Sequence, residues 1–359
     1  MALFPESCTR IIDLQSGKGR WALTETDRAE LAAVHARTRA APPGTEEELL
    51  HLLTRPFATE DIPEYFRYTS LHVLAWYLAG APDQVAATLR AMDAALADLT
   101  AVEHAAGEDE ERLRRLAALR AHLRTLPHAD GPAAPVLDTV DAAQRERLRI
   151  LVACTGFPMS DRHDEHVFLR AVHVCELAYY LIRHQAGAVV AAVGTPAAST
   201  LLARLARYAD LPNRVFHVLR TLTPESFMSF REATGYASAV QSLNYHLMEL
   251  ALYGHDPRKD QVLTRYPHLR PLTEPPLREA YSLRQAVAES GDPGLAGAWQ
   301  ELARNLLTWR GRHYGFGRRY LADIQGSGGT EGAEYLKGFV VKRAAPGGRT
   351  PVPVHFAYR

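Results

Sequence analysis

Cysteine is scarce in this chain of 359 residues: Cys8, Cys154 and Cys175 are the only three, widely spaced and without a CxxC pair. An odd, scattered set argues against a disulfide framework and a thiolate zinc site, and points to a reducing cytoplasm with each thiol acting as a small buried hydrophobe. Net charge is also missing, since 41 Lys+Arg balance 41 Asp+Glu. Nothing in that balance favours nucleic acid or an anionic membrane as a partner. Long apolar runs are absent too. The two most apolar stretches, Leu71 to Ala79 and Ala186 to Val193, fall far short of the roughly 20 residues that span a bilayer. The first ten residues lack a basic cluster followed by an apolar core, so no secretory signal is expected and the mature chain is read as starting there. Alternating β-branched runs are few and no internal repeat is visible.

What is present is the composition of an ordinary globular protein, 47% hydrophobic and 23% charged, with apolar residues recurring at helical spacing. The fold expected is all-α. Thr45-Glu-Glu-Glu48 has capping-box spacing, and Thr223-Pro-Glu-Ser-Phe227 reads as an N-cap followed by proline at the first helical position. The stretch from Gln84 to Thr125, broken near Gly107, predicts a helical hairpin with a solvated charged face. Further helices are predicted near 141–153, 161–184, 195–209, 223–234, 238–253 and 294–324. Pro/Gly clusters at 41–44, 128–135 and 271–276 read as loops. The second divides a helical region, 1–135, from a helical domain, 136–359. Short extended pieces are expected around Phe339–Lys342 and Val352–Phe356.

Sixteen histidines stand out beside the three cysteines, because histidine is the proton switch near neutral pH and the commonest metal ligand. His163-Asp-Glu-His166 leads into a helix on which His166 and His173 share one side with Arg170, while Phe168, Val172 and Cys175 share another. His166, His173 and Glu176 are compatible with a metal site or with buried hydrogen bonds between packed helices. A di-iron bundle needs paired Glu-x-x-His elements, and the one clear instance is Glu48-Leu-Leu-His51. Near the end of the chain, Trp309-Arg-Gly-Arg-His313 lies on a long helix ahead of the glycine-rich Gln325-Gly-Ser-Gly-Gly-Thr-Glu-Gly332. Such a loop is either a flexible linker or a close-fitting ligand loop with free amides.

Three ordered, ungapped blocks give the sequence its resemblance to the tryptophan 2,3-dioxygenase superfamily of histidine-ligated haem oxygenases. His163 to Leu177 is similar to the family's HDEHLFI segment and its following EL pair. Thr223 to Arg231, running on through Ser238 to Glu249, is similar to TPLDF-x-x-FR and SGFQSLQFRLLE. Trp309 to Lys337 is similar to WRYRHV and GTGGSSGYEYLR. The blocks cover roughly the C-terminal half, so a helical bundle of that family's type is implied, with an extra N-terminal helical region.

The resemblance implies that His313 is the proximal iron ligand of a non-covalent haem b, since no CxxCH attachment site is present. It implies an aromatic pocket wall at Phe168, with the substrate expected to pack against Phe168, Val172 and Tyr245, and a substrate-covering loop in which Ser327, with Gly328, contacts the substrate's ammonium group. Trp309, Arg310, Arg312 and Arg318 are candidates for the haem surround and its propionates, the arginines equally for solvated surface. Two departures stand out. Val172 replaces the family's distal histidine, and His246 takes the register of its carboxylate-gripping arginine, a change on the order of 1–3 kcal/mol in charge-assisted bonding. His246, His173 and Ser327 are then the polar groups expected to orient substrate. The function implied is a haem-dependent oxygenase, dioxygenase or monooxygenase, that acts on an indole or phenol type of aromatic amino acid in specialised metabolism. Dioxygen or hydrogen peroxide would be the co-substrate, and the protein would be a cytoplasmic homo-oligomer, dimer or tetramer. The alternative is a non-catalytic haem sensor or carrier.

Overall fold

In the computed structural model, the residues described are 6–17, 19–58, 62–79, 81–107, 109–127, 140–321, 326, 330–343 and 347–355. They form seventeen α-helices. Seven belong to the N-terminal region: α1 (Glu6–Ser16), α2 (Glu25–Arg37), α3 (Glu46–Thr54), α4 (Glu64–Thr69), α5 (Leu71–Ala79), α6 (Gln84–Ala106) and α7 (Glu110–Arg124). Ten follow: α8 (Ala142–Ala153), α9 (His163–Ala192), α10 (Ala197–Tyr208), α11 (Leu211–Leu219), α12 (Pro224–Arg231), α13 (Leu243–Tyr253), α14 (Asp260–Arg265), α15 (Leu283–Ser290), α16 (Pro293–Leu321) and α17 (Ala333–Gly338). The all-α expectation therefore holds among the described residues. Among the described residues the extended pieces expected in the tail are not formed, and pairing is limited to one isolated bridge, Tyr281 with Pro351. The loop expected at 128–135 lies outside the described residues.

Local chemistry sets the helix ends. Asp83 caps α6 by accepting from the Ala86 amide, and Gly107 closes it in the left-handed region at φ 70°, where a side chain would be strained. Asp109 starts α7 by accepting from the Glu111 and Arg112 amides, which makes the predicted hairpin. Thr223 accepts from the Ser226 amide, with Pro224 opening α12. No stop signal interrupts α9 at His184, so it runs on to Ala192 and ends just before Gly194, whose φ is 88°.

α9 is the axis of the molecule. It is buried along most of its 30 residues and packs against α6, α10, α11 and α13. A helix that is apolar or paired on all sides belongs in a core. α16 packs on α10, α11, α12 and α17. One continuous hydrophobic cluster runs from Cys8 to Tyr320 and joins the N-terminal helices to the later ones. At roughly 1.5–3 kcal/mol per buried large apolar side chain, this shared core fixes the two regions against each other. All three cysteines are free and buried in it, as expected. No helix among the described residues is long and apolar enough to cross a membrane.

Candidate active site

Between α9 and α16 lies a pocket enclosing about 1550 Å³ of empty space, part of it open to solvent. Pockets for one small molecule are typically about 300–1,000 Å³, so there is room for a large ligand and a second one beside it. α9 contributes Phe168, Val172, Cys175 and Tyr179, a stripe spaced four, three and four residues apart that faces one way on a helix. α16 contributes Trp309, His313 and Phe316, spaced four and three residues apart, with Gly317 beside them. α12 adds Phe227, Phe230 and Arg231, α13 adds Tyr245, and Tyr65 reaches in from α4. Gly326 and Thr330, which flank the glycine-rich loop, also line the pocket and are joined by a Gly326 N–H to Thr330 O bond of 3.1 Å. Ser327 and Gly328 lie outside the described residues.

His313 is the one histidine on this pocket among the described residues. Its ring lies 5.1 Å from Phe216 and 6.1 Å from Trp309, centroid to centroid. Burial alone pushes its pKa down to about 4, so the imidazole is neutral near pH 7 and has a lone pair to offer. One turn before it, Trp309 is 1% exposed and its indole N–H has no hydrogen-bond partner among the described residues. Orphaned buried donors are rare in native interiors. A vacant imidazole and an orphaned donor on one helix face, beside a large aromatic-walled space, fit a planar, metal-bearing ring system. The residues present therefore suit a haem. No cluster of three metal-ligating side chains is present among the described residues, so His166, His173 and Glu176 do not form the metal site considered from sequence.

The polar side of α9 is structural. His166 Nε2 is 3.1 Å from Asp98 Oδ2, and Arg170 donates from Nε to the same oxygen at 2.7 Å. His173 Nε2 donates to Thr69 O at 2.7 Å, while its Nδ1 lies 3.4 Å from Arg170 Nη1. Burial, then the Arg170 charge, brings its pKa down to about 3. It does not line the pocket, and its ring nitrogens are engaged elsewhere. The same correction applies to His246. It donates from Nε2 to Val240 O at 2.8 Å and faces Lys259 at 3.4 Å, behind the ring of Tyr245 rather than in the pocket. Arg312 is exposed and donates to Asn213 O at 3.2 Å, and Arg318 is exposed, neither lining the pocket. Arg310 alone of the three arginines lines it.

Two pocket residues carry no role in the sequence reading. Arg231 stands inside the quoted Phe-Arg block, yet only the fold brings it to the pocket, where burial lowers its pKa. A guanidinium thus lines the pocket at 231, whereas position 246 carries an imidazole outside it. Tyr65 comes from the N-terminal region and donates to Glu176 Oε1 at 2.8 Å. Glu176 is completely buried and also accepts from Ser242 Oγ and from Asn244 Nδ2, so it ties α4 and α13 to α9. No local signal in the sequence marks Tyr65.

The sequence model of the family described as tryptophan 2,3-dioxygenase matches residues 147–266. The chain is similar to the tryptophan 2,3-dioxygenase of Ruegeria pomeroyi, 29% identical over 227 residues that cover 51% of this chain and 82% of that protein. The enzyme of the same name from Bacillus thuringiensis subsp. konkukian is 28% identical over 233 residues, covering 52% and 83%. That of Geobacillus thermodenitrificans is 27% identical over 223 residues, covering 50% and 80%.

Proposed function

The chain belongs to the tryptophan 2,3-dioxygenase superfamily, and from that premise we propose that it is a haem b-dependent oxygenase acting on an aromatic amino acid or a derivative of one. The observation that carries this reading is the neutral, unpaired His313 facing a large aromatic pocket. Bound haem supplies the iron at which dioxygen or peroxide is activated. The protein's own residues do the rest. His313 would hold the metal as a neutral donor. Phe168, Phe227 and Phe230, with ring centroids 5.4–5.6 Å apart, form an apolar wall that orients an aromatic ring and excludes water. Arg231 offers a guanidinium to the substrate's carboxylate.

On the α9 wall the pocket-lining residues carry no base. Val172 is apolar, and burial pushes the Cys175 thiol up to about 12, so it stays protonated. An indole N–H therefore finds no imidazole acceptor on this wall, which favours a substrate that does not require one, such as a phenol of the tyrosine type or a modified indole. That points to specialised rather than general amino-acid metabolism. A non-catalytic carrier would be supported by a second histidine on the pocket able to bind the metal. His173 and His246 both face away from the pocket, so oxygenation is the better reading. Its test is mass spectrometry after the ferrous, haem-loaded protein meets isotopically labelled dioxygen, or labelled peroxide, with a panel of tyrosine and tryptophan derivatives. Labelled oxygen should enter at least one of them; incorporation into none would count against turnover.

A further inference from the structure

Behind the pocket wall formed by Tyr245 and Phe339, three buried cations converge on one carboxylate. Lys259 Nζ lies 3.0 Å from Glu249 Oε2, Lys342 Nζ contacts the same oxygen, and Arg310 Nη1 is 3.6 Å from Oε1. All four side chains are at least nine-tenths buried. The neighbouring acids are engaged elsewhere: Asp256 Oδ1 accepts from Arg258 Nε at 2.9 Å, and Asp260 faces His255 at 2.8 Å. His246, at 3.4 Å from Lys259, adds no negative charge. Three positive charges against one negative leave two uncompensated in the interior, where an unpaired charge is costly.

The excess is connected to the pocket. Lys259 Nζ sits 4.5 Å from the centroid of the Tyr245 ring, and Lys342 Nζ 5.6 Å from that of Phe339; both rings line the pocket. Arg310 itself lines it. Its Nε donates to Val340 O at 2.8 Å and its Nη1 to Tyr253 at 3.3 Å, while its Nη2 has no hydrogen-bond partner among the described residues. We propose that Arg310, backed by Lys259 and Lys342 around Glu249, is a receptor for a carboxylate of the tetrapyrrole in the pocket. The proposal rests on the haem reading above and assigns Lys259 and Lys342 as positioning residues that act through Arg310. Burial, with Lys259 and Arg310 nearby, lowers the Lys342 pKa to about 7.

A carboxylate in this pocket has two sources, the tetrapyrrole and the substrate, and the experiment separates them. Haem-free protein is titrated with iron protoporphyrin IX and with its dimethyl ester, followed by Soret absorption and tryptophan fluorescence, for the wild type and for Lys342→Met and Lys259→Met. Each variant still leaves Glu249 paired with cations, and far-UV circular dichroism checks its fold. The acid should bind roughly ten- to a hundredfold more tightly than the ester, the scale of a charge-assisted hydrogen bond. In Lys342→Met that preference should shrink several-fold with ester affinity unchanged. Equal binding of acid and ester, or an unchanged preference in both variants, would overturn the proposal while leaving the haem reading intact. So would a Lys342→Met defect seen only in the binding of an aromatic amino acid to the loaded protein. Binding of neither porphyrin would remove the haem reading itself.

Discussion

In the proposed reading, Arg231 is the side chain that bears most directly on the substrate. A partly buried guanidinium on an aromatic pocket, with its pKa lowered by desolvation, gains from an anionic partner, and an amino acid's carboxylate can accept two of its N–H groups at once. Arg231→Leu should therefore raise KM for a carboxylate-bearing substrate roughly ten- to a hundredfold. The corresponding amide should be affected much less. A steady-state comparison of acid and amide checks this, and equal losses for both would move the carboxylate elsewhere. The contrast with His246 is one of placement. Both residues lie in the same sequence block, but His246 turns behind Tyr245 to bond Val240 O. His173 and Val172 make the same point within one helix: neighbours about 100° apart face opposite environments, and only Val172 reaches the pocket.

At the scale of elements, α9 joins everything else, and Tyr65 is the link that brings the N-terminal region to it. Tyr65→Phe removes one of three donors from the buried Glu176 carboxyl, a loss of about 1–3 kcal/mol. Chemical denaturation should show that decrease with haem affinity largely kept. A haem affinity that collapses while stability holds would mean that Tyr65 touches the cofactor. Helices with caps and long periodicity were legible in the sequence: the α6–α7 hairpin, α8, and α16 with its Trp309–His313 turn. The short helices α11, α14 and α15 were not, because at six to nine residues they draw their stability from packing rather than from propensity. The pocket's aromatic wall could be read from the Phe168 and Tyr245 blocks and its iron ligand expected at His313. The contributions of Tyr65 and Arg231, and the cation cluster around Glu249, depend on contacts between distant segments and left no local pattern.

For the whole molecule, the histidine-rich composition becomes an acid sensitivity. Burial holds His72 and His173 down to about 3 and His313 to about 4, with His246 well below its ordinary value. An unfolded chain takes up protons on these residues below about pH 6.5, whereas the folded chain does not until its own lower pKa values are reached. Stability is thus full above about 6.5 and declines as pH falls below it toward the folded values of about 3 to 4, by about 1.4 kcal/mol per buried histidine for each step of one in pH. Thermal unfolding of the haem-free protein between pH 7 and 4 should show a steep fall in Tm; a flat profile from 6.5 to 5 would mean that these histidines are not held neutral. The shared core, the pocket built from both regions and the neutral imidazole all converge on one claim, that His313 binds haem iron. The most direct test titrates haem into wild-type protein and His313→Ala while following the Soret band. The account predicts one haem per chain with a histidine-ligated spectrum in the wild type, and loss of that spectrum and of tight retention in the variant. Equal stoichiometry and an unchanged Soret band in His313→Ala would contradict it.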